Sequence, residues 1–145
     1  MDLKLNNKTA LITGASKGIG YGISETFASE GVNLFLTARS ENELKALKSK
    51  LTELYRIKVE IIPLDITASE SISILVDKCK NIDFLINNAG DIPSGSLFDV
   101  NEDSWRRGWE LKVFGYINMC RAFYPILKKN GGGVIINNIG NGGEI

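Results

Sequence analysis

The sequence contains no histidine, and this removes a large group of catalytic and metal-binding sites from consideration. Catalytic triads with histidine, histidine general bases and histidine metal ligands are excluded for these 145 residues. The two cysteines, Cys79 and Cys120, lie far apart and match no metal-binding or redox spacing. We interpret them as buried thiols in a reducing compartment, and the sequence predicts no metal site.

The chain also lacks an excess of either charge and any long apolar run. Seventeen basic residues balance seventeen acidic ones, so nothing favours nucleic acid or an anionic membrane as a partner. No apolar run approaches the roughly 20 residues that a membrane-spanning helix needs. The N-terminal residues show no apolar core of a signal peptide. We expect a cytoplasmic protein in which residues 1–145 form a single domain.

Short apolar runs rich in branched residues alternate with longer segments of helical periodicity. Because these runs are apolar on both faces, they predict buried strands, at about 8–13, 32–38, 58–64, 82–87 and 133–139. The order βαβαβαβαβ predicts an α/β fold with right-handed crossovers and helices on both faces of a parallel sheet. We expect a doubly wound sheet of Rossmann type with the strand order 3-2-1-4-5.

Four helices are expected between these strands. The first spans about 16–29, and the fourth is long, from about Asn101 to Lys129. The second and third each begin with the spacing of a capping box, Ser40 with Glu43 and Thr67 with Glu70.

A glycine-rich turn joins the first strand to the first helix in the stretch T-G-A-S-K-G-I-G at 13–20. A helix N-terminus offers free N–H groups and a partial positive charge, and glycines remove the Cβ atoms that would keep a diphosphate away. At this position in a βαβ unit the pattern favours a nucleotide-binding turn over a turn without a ligand.

The third and fourth strands also end in polar motifs. Asp65-Ile66 follows the third strand, and Asn87-Asn88-Ala89-Gly90 follows the fourth. Because the carboxyl ends of parallel strands meet at one edge of the sheet, these motifs and the glycine turn are expected to line one ligand site.

The three motifs at these spacings resemble the short-chain dehydrogenase/reductase family over the whole chain. The resemblance implies a cofactor-binding site for a nicotinamide dinucleotide, with the diphosphate and ribose at the turn, the adenine at the third strand and the middle of the cofactor at the fourth. The residues so implied are Gly14, Ser16, Lys17, Gly18, Ile19, Gly20, Asp65, Ile66, Asn88, Ala89 and Gly90. Asn87 is open to a purely structural interpretation.

The end of the second strand bears on the choice of cofactor. A dinucleotide-binding fold that prefers NAD places an acid here for the ribose 2′-hydroxyl, but this chain reads Ala38-Arg39-Ser40. Arg39 and Lys17 would attract a 2′-phosphate, so we expect NADP(H) to be preferred and NAD(H) to be possible. Two solvated surface charges are the alternative.

The resemblance implies hydride transfer between the nicotinamide and a small carbonyl or alcohol substrate. Lys112 stands where the family usually has an asparagine that supports a proton relay, and Asn141 aligns with the usual carbonyl-polarising serine. These two residues are the catalytic candidates of the chain. A loop asparagine without any role is the alternative for Asn141, and a substitution that slows the relay is the alternative for Lys112.

The family's Tyr-x-x-x-Lys pair follows the fifth strand, whereas Tyr124 and Lys128 lie before it, so we reject them as that pair. We therefore expect the domain to be truncated after the fifth strand, C-terminally incomplete, and the longer protein to be a homo-oligomer. Two functions stay open, an NAD(P)-dependent oxidoreductase and a nucleotide-binding module without catalysis. A purely structural α/β domain would have to explain three cofactor motifs as coincidence.

Overall fold

The structure is a computed structural model that describes residues 3–139. In this range five parallel strands form one sheet in the order β3-β2-β1-β4-β5. The strands are β1 (Thr9–Thr13), β2 (Asn33–Ala38), β3 (Val59–Pro63), β4 (Phe84–Asn87) and β5 (Val134–Asn137). The predicted α/β fold and its strand order are confirmed.

Within the described part of the chain, five α-helices connect the strands, and the long segment before β5 contains an irregular turn. The helices are α1 (Gly18–Ser29), α2 (Glu41–Leu54), α3 (Ser71–Lys78), α4 (Glu102–Trp109) and α5 (Gly115–Lys129). A π-helical turn at Glu110–Phe114 joins α4 to α5 without a break. The sequence therefore predicted the extent of this segment and missed the π turn.

Both faces of the sheet are buried at the central strands β1 and β4, as the apolar runs predict. The prediction of a buried fifth strand is wrong, because β5 lies at the edge of the sheet, where Val134 and Ile136 are 48% and 45% exposed. Ile12 of β1 packs into one cluster with residues of α1 and α2, whereas its neighbour Leu11 packs into a second cluster with Leu75 of α3 and Phe123 of α5. Side chains alternate between the two faces of a strand, so a strand that is apolar at every position needs helices on both sides. The sheet is thus the rigid middle layer that carries the loops at its carboxyl edge.

One of the two predicted capping boxes is wrong, and the other lacks its hydrogen bond. Thr67 does not cap α3, which begins at Ser71. The Thr67 hydroxyl and N–H both donate to the Asp65 carboxylate, at 2.8 and 2.9 Å, because a carboxylate two residues back is a strong competing acceptor. Ser40 does occupy the N-cap position of α2, but its side chain makes no capping hydrogen bond.

The outer face of α4, the π turn and α5 exposes several large apolar side chains among charged ones. Trp109, Phe114, Ile117 and Tyr124 are between 46% and 61% exposed. This face is the one expected to meet another subunit, and the homo-oligomer stays a prediction.

Both cysteines are free thiols. Cys79 is fully buried, and burial raises the pKa of its thiol to about 12, whereas Cys120 is half-buried. Among residues 3–139, no helix has both the length and the apolar character needed to cross a bilayer.

Candidate dinucleotide-binding site

An open cleft of about 900 Å³ runs along the carboxyl edge of the sheet. This volume lies within the usual range for small-molecule and cofactor sites, which is roughly 300–1,000 Å³. Most of the residues that the sequence predicted line it together. They are Gly14, Ser16, Lys17, Gly18, Ile19, Arg39, Asp65, Ile66, Asn88, Ala89, Gly90 and Lys112. Gly20 lies beneath the glycine turn instead, and Asn141 falls outside the described residues.

The glycine turn presents free backbone amides to the cleft. Gly14 and Gly18 have φ angles of 65° and 57°, a left-handed conformation that only glycine adopts without strain. Lys17 is the N-cap residue of α1, and no side chain of residues 3–139 accepts from the amides of the first turn, which also contains no acid. These amides and the positive end of the helix dipole therefore remain available to an anion.

The turn packs against its neighbours at backbone distance. A Cβ atom on Gly20 would lie 2.2 Å from the Gly14 carbonyl oxygen, and one on Gly14 would lie 2.8 Å from the Ala89 Cα. Around Gly18, by contrast, a Cβ atom would meet nothing within 4 Å. Gly14 and Gly20 therefore allow close packing below the cleft, whereas Gly18 leaves open space inside it. That open space beside unpaired amides fits a diphosphate.

Thr13, the last residue of β1, connects the glycine turn to the β4 loop, which we define as the segment that begins at Asn88 after β4. Its buried hydroxyl accepts from the N–H groups of Asn88 and Ala89, at 2.9 and 3.0 Å, and donates to the Ile86 carbonyl at 3.3 Å. The Asn88 side chain adds two hydrogen bonds between the same segments, since its amide donates to the carbonyls of Thr13 and Gly14. The sequence analysis gave Thr13 no role, because a threonine at a strand end carries no signal of what its hydroxyl will bind.

Arg39 lies at the β2–β3 side of the cleft between two carboxylates. Its guanidinium is 3.6 Å from Asp91, and its charge helps to lower the pKa of Asp65. Burial alone would raise the pKa of Asp65, but the two hydrogen bonds from Thr67 and the charge of Arg39 outweigh it. Both partners of the Arg39–Asp91 pair are about 70% exposed, so this ion pair is weak and can be replaced by a ligand.

Lys112 lies at the other side of the cleft, near the end of β5. Its ammonium donates to the Asn138 carbonyl and to the Tyr116 hydroxyl, the latter at 3.1 Å. Partial burial lowers the pKa of Lys112, and burial raises the pKa of Tyr116 to about 12. Asn138 and Tyr116 were missed by the sequence analysis, since their positions become meaningful only when β5 lies next to β4.

Asn87 bridges β4 to β5 and does not line the cleft. It is fully buried, and its amide donates to the Asn137 side chain at 2.8 Å and to the Cys120 sulfur at 3.4 Å. Its side-chain oxygen has no partner among residues 3–139. These contacts fit the structural interpretation of Asn87.

Two further features delimit the chemistry of the described residues. Tyr124 is 61% exposed on α5 and lies outside the cleft. Within residues 3–139, acids and cysteines form no group of three or more that could hold a metal ion.

Comparisons with known proteins agree with this geometry. The family model described as short chain dehydrogenase matches residues 8–144. The 7alpha-hydroxysteroid dehydrogenase of Escherichia coli K12 is 34% identical over 141 residues, which cover 93% of this chain. The 12alpha-hydroxysteroid dehydrogenase of Clostridium sp. is 36% identical over 141 residues, which cover 90% of this chain. In structure, L-sorbose reductase from Gluconobacter frateurii, complexed with NADPH and L-sorbose, superimposes with a TM-score of 0.87 at 32% identity and 93% coverage of this chain.

The chain spans about half the length of these relatives. The matched region covers 54% of each hydroxysteroid dehydrogenase and 53% of the sorbose reductase.

Proposed function

The chain belongs to the short-chain dehydrogenase family, and from that premise we propose that its cleft binds NADP(H) for hydride transfer to or from a small carbonyl or alcohol compound. The observation that carries the proposal is the glycine turn at the N-terminus of α1, whose unpaired amides face open space. An anion held there gains both hydrogen bonds and the field of the helix dipole.

The roles of the cleft residues follow from their positions along the sheet edge. The turn residues would hold the diphosphate and ribose, with Gly20 acting from below by letting α1 pack closely; they are Gly14, Ser16, Lys17, Gly18, Ile19 and Gly20. Asp65 and Ile66 would hold the adenine, and Asn88, Ala89 and Gly90 the middle of the cofactor.

Two observations support NADP(H) over NAD(H). Arg39 stands at the end of β2, where an acid would favour NAD(H), and Lys17 lines the same cleft. Similar solved structures carry NADPH, among them the sorbose reductase and a short-chain dehydrogenase from Sphingobium yanoikuyae, which is 32% identical.

The nicotinamide would supply or accept the hydride when bound. We propose Lys112 and Asn141 as the catalytic residues of this chain, because a lysine ammonium and an asparagine amide can each donate to a substrate or relay oxygen. Hydroxysteroids and sorbose, named for the relatives, mark the class of alcohol and carbonyl compounds rather than one substrate. A cytoplasmic location and a homo-oligomeric assembly complete the proposal. Carbonyl-dependent oxidation of NADPH separates this proposal from a nucleotide-binding module without catalysis, which would bind NADPH without oxidising it.

Replacing Arg39 by alanine tests the cofactor preference. We expect the dissociation constant for NADPH to rise about tenfold, because a charge-assisted hydrogen bond to the 2′-phosphate is lost, while that for NADH stays nearly unchanged. Arg56→Ala is the matched control, since Arg56 is exposed and lies outside the cleft. An NADPH-to-NADH ratio that stays unchanged in Arg39→Ala would show that Arg39 does not read the 2′-phosphate.

Replacing Asp91 by asparagine tests the pairing of Arg39 before the cofactor binds. We expect NADPH to bind roughly 1.4- to 5-fold more tightly, because the 2′-phosphate no longer displaces an ion pair worth about 0.2–1 kcal/mol. NADH should respond less. Asp99→Asn is the control, since Asp99 is bonded to Ser96 outside the cleft. Equal affinities for NADPH in Asp91→Asn and Asp99→Asn would contradict the competition between Asp91 and the phosphate.

A further inference from the structure

The Lys112 side chain enters the cleft close to Gly90, where the absence of a Cβ atom leaves it room. A Cβ atom on Gly90, in the β4 loop, would lie 3.1 Å from the Lys112 Cδ and 3.3 Å from its Nζ. Gly90 therefore allows the lysine stem to pass directly over the β4 loop. The side chain is directed to the carboxyl edge of the sheet and does not extend into bulk solvent.

The π turn fixes where this side chain starts. The N–H of Gly115 bonds the Glu110 carbonyl five residues back, so the turn around Lys112 holds one residue more than an α-helical turn. Gly115 also lets the helix approach the loop after β3, since a Cβ atom there would lie 3.3 Å from the Ile66 side chain. Such turns are frequent at functional sites.

The ammonium of Lys112 is held by two acceptors and keeps one donor unused. One N–H bonds the Asn138 carbonyl and another bonds the Tyr116 hydroxyl, which itself donates to the same carbonyl at 3.1 Å. A lysine ammonium has three donors. No residue within 3–139 accepts from the third, so a ligand oxygen in the cleft can take it.

A chain of hydrogen bonds connects this ammonium to the phosphate-binding turn. The Asn138 side chain donates to the Asn88 side chain at 2.9 Å, and Asn88 in turn donates to the carbonyls of Thr13 and Gly14. The position of Lys112 is therefore fixed relative to the turn, and the two can bind different parts of one ligand.

The strand order decides which part of the ligand Lys112 meets. The glycine turn follows the central strand β1, with Arg39 on the β2 side and Lys112 on the β4–β5 side. A dinucleotide whose diphosphate lies at the turn must place its two nucleosides on opposite sides. The adenosine half would then lie on the Arg39 side, and the nicotinamide half on the Lys112 side.

We infer that Lys112 is a binding residue for the nicotinamide half of the cofactor, donating its free N–H to a ribose or amide oxygen of that nucleoside. The inference rests on the proposed function. It assigns to this chain a cation that the usual asparagine at this position would not provide, and Tyr116 and the Asn138 carbonyl serve as positioning groups that orient it.

A fragment of the cofactor supplies the test. The compound 2′,5′-ADP contains the 2′-phosphorylated adenosine of NADPH with its 5′-phosphate, and it lacks the nicotinamide nucleoside. Calorimetric titrations compare NADPH with 2′,5′-ADP for the unmodified protein, Lys112→Met and Lys112→Gln. We expect both variants to bind NADPH roughly tenfold more weakly and 2′,5′-ADP unchanged. Tyr116→Phe, which frees the ammonium without removing it, should weaken NADPH binding by a smaller factor.

The controls separate the possible failures. Lys128→Met removes an exposed lysine of α5 outside the cleft and should change the affinity for neither ligand. Circular dichroism and thermal unfolding show whether each variant is folded, and Lys112→Gln, which keeps a polar side chain, remains informative if Lys112→Met unfolds. Equal effects on both ligands, or none, overturn the inference alone. An unmodified protein that binds neither ligand overturns the proposed function as well.

Discussion

Replacement of Gly20 by alanine is expected to abolish tight cofactor binding and to destabilise the protein. The new Cβ atom would lie 2.2 Å from the Gly14 carbonyl oxygen and 2.8 Å from its carbonyl carbon, so the backbone of the turn has to move. Overpacking of this kind costs roughly 1–3 kcal/mol of stability. A displaced turn loses several amide contacts of about 1 kcal/mol each, which lowers NADPH affinity on the order of 100-fold.

Gly22 provides the matched control in the same helix. A Cβ atom there meets nothing within 4 Å, so Gly22→Ala should leave NADPH affinity unchanged and stabilise α1 by about 0.5–1 kcal/mol. Thermal unfolding and calorimetric titration with NADPH measure both effects. If Gly20→Ala and Gly22→Ala bind NADPH equally well, close packing of α1 against the turn does not build the site.

Replacement of Thr13 by valine should be the most damaging isosteric change at the sheet edge. The branched shape is kept, but the N–H groups of Asn88 and Ala89 lose their common acceptor in a partly buried setting. A buried group left without a partner costs about 1–3 kcal/mol, and water reaches these two N–H groups in part, so we expect a loss of roughly 2–3 kcal/mol in the free energy of unfolding. The β4 loop should then also hold NADPH less well.

Thr37→Val makes the same change at an equally buried position on the neighbouring strand. Thr37 pairs with Thr13 in the parallel ladder, and its hydroxyl donates to the Ile62 carbonyl at 2.7 Å. Loss of that single bond should cost only about 1 kcal/mol. Denaturant unfolding of the two variants gives the comparison. A Thr13→Val protein no less stable than Thr37→Val would show that the hydrogen bonds of the Thr13 hydroxyl to Asn88 and Ala89 are dispensable.

The strands and their order could be predicted because their signal is local and strong. Runs such as Ala10-Leu11-Ile12 are apolar at every position, which in a short segment indicates a strand covered on both faces. The alternation with helices then leaves few topologies. The glycine turn was predictable for the same reason, since Gly14 and Gly18 need conformations that other residues avoid.

The errors arose where a side chain had a choice of partners. Thr67 was expected to cap a helix, but Asp65 two residues earlier took its hydroxyl and N–H instead. The spacing alone does not show whether the Thr67 side chain accepts from the helix or donates to Asp65.

The least predictable features join residues that are distant in sequence. Lys112 meets Asn138 across 26 residues, and Asn88 meets Thr13 across 75. Such contacts exist only after β1, β4 and β5 have assembled into the sheet, so no local sequence pattern could predict them. Asn141 lies beyond the described residues, and its role stays a prediction.

Calorimetric titration of the folded protein with NADPH and with NADH tests most directly whether the glycine turn at the N-terminus of α1 is a dinucleotide-binding site. We predict saturable binding at one site per chain, tighter for NADPH. Folded protein that takes up neither nucleotide at millimolar concentration would contradict the account.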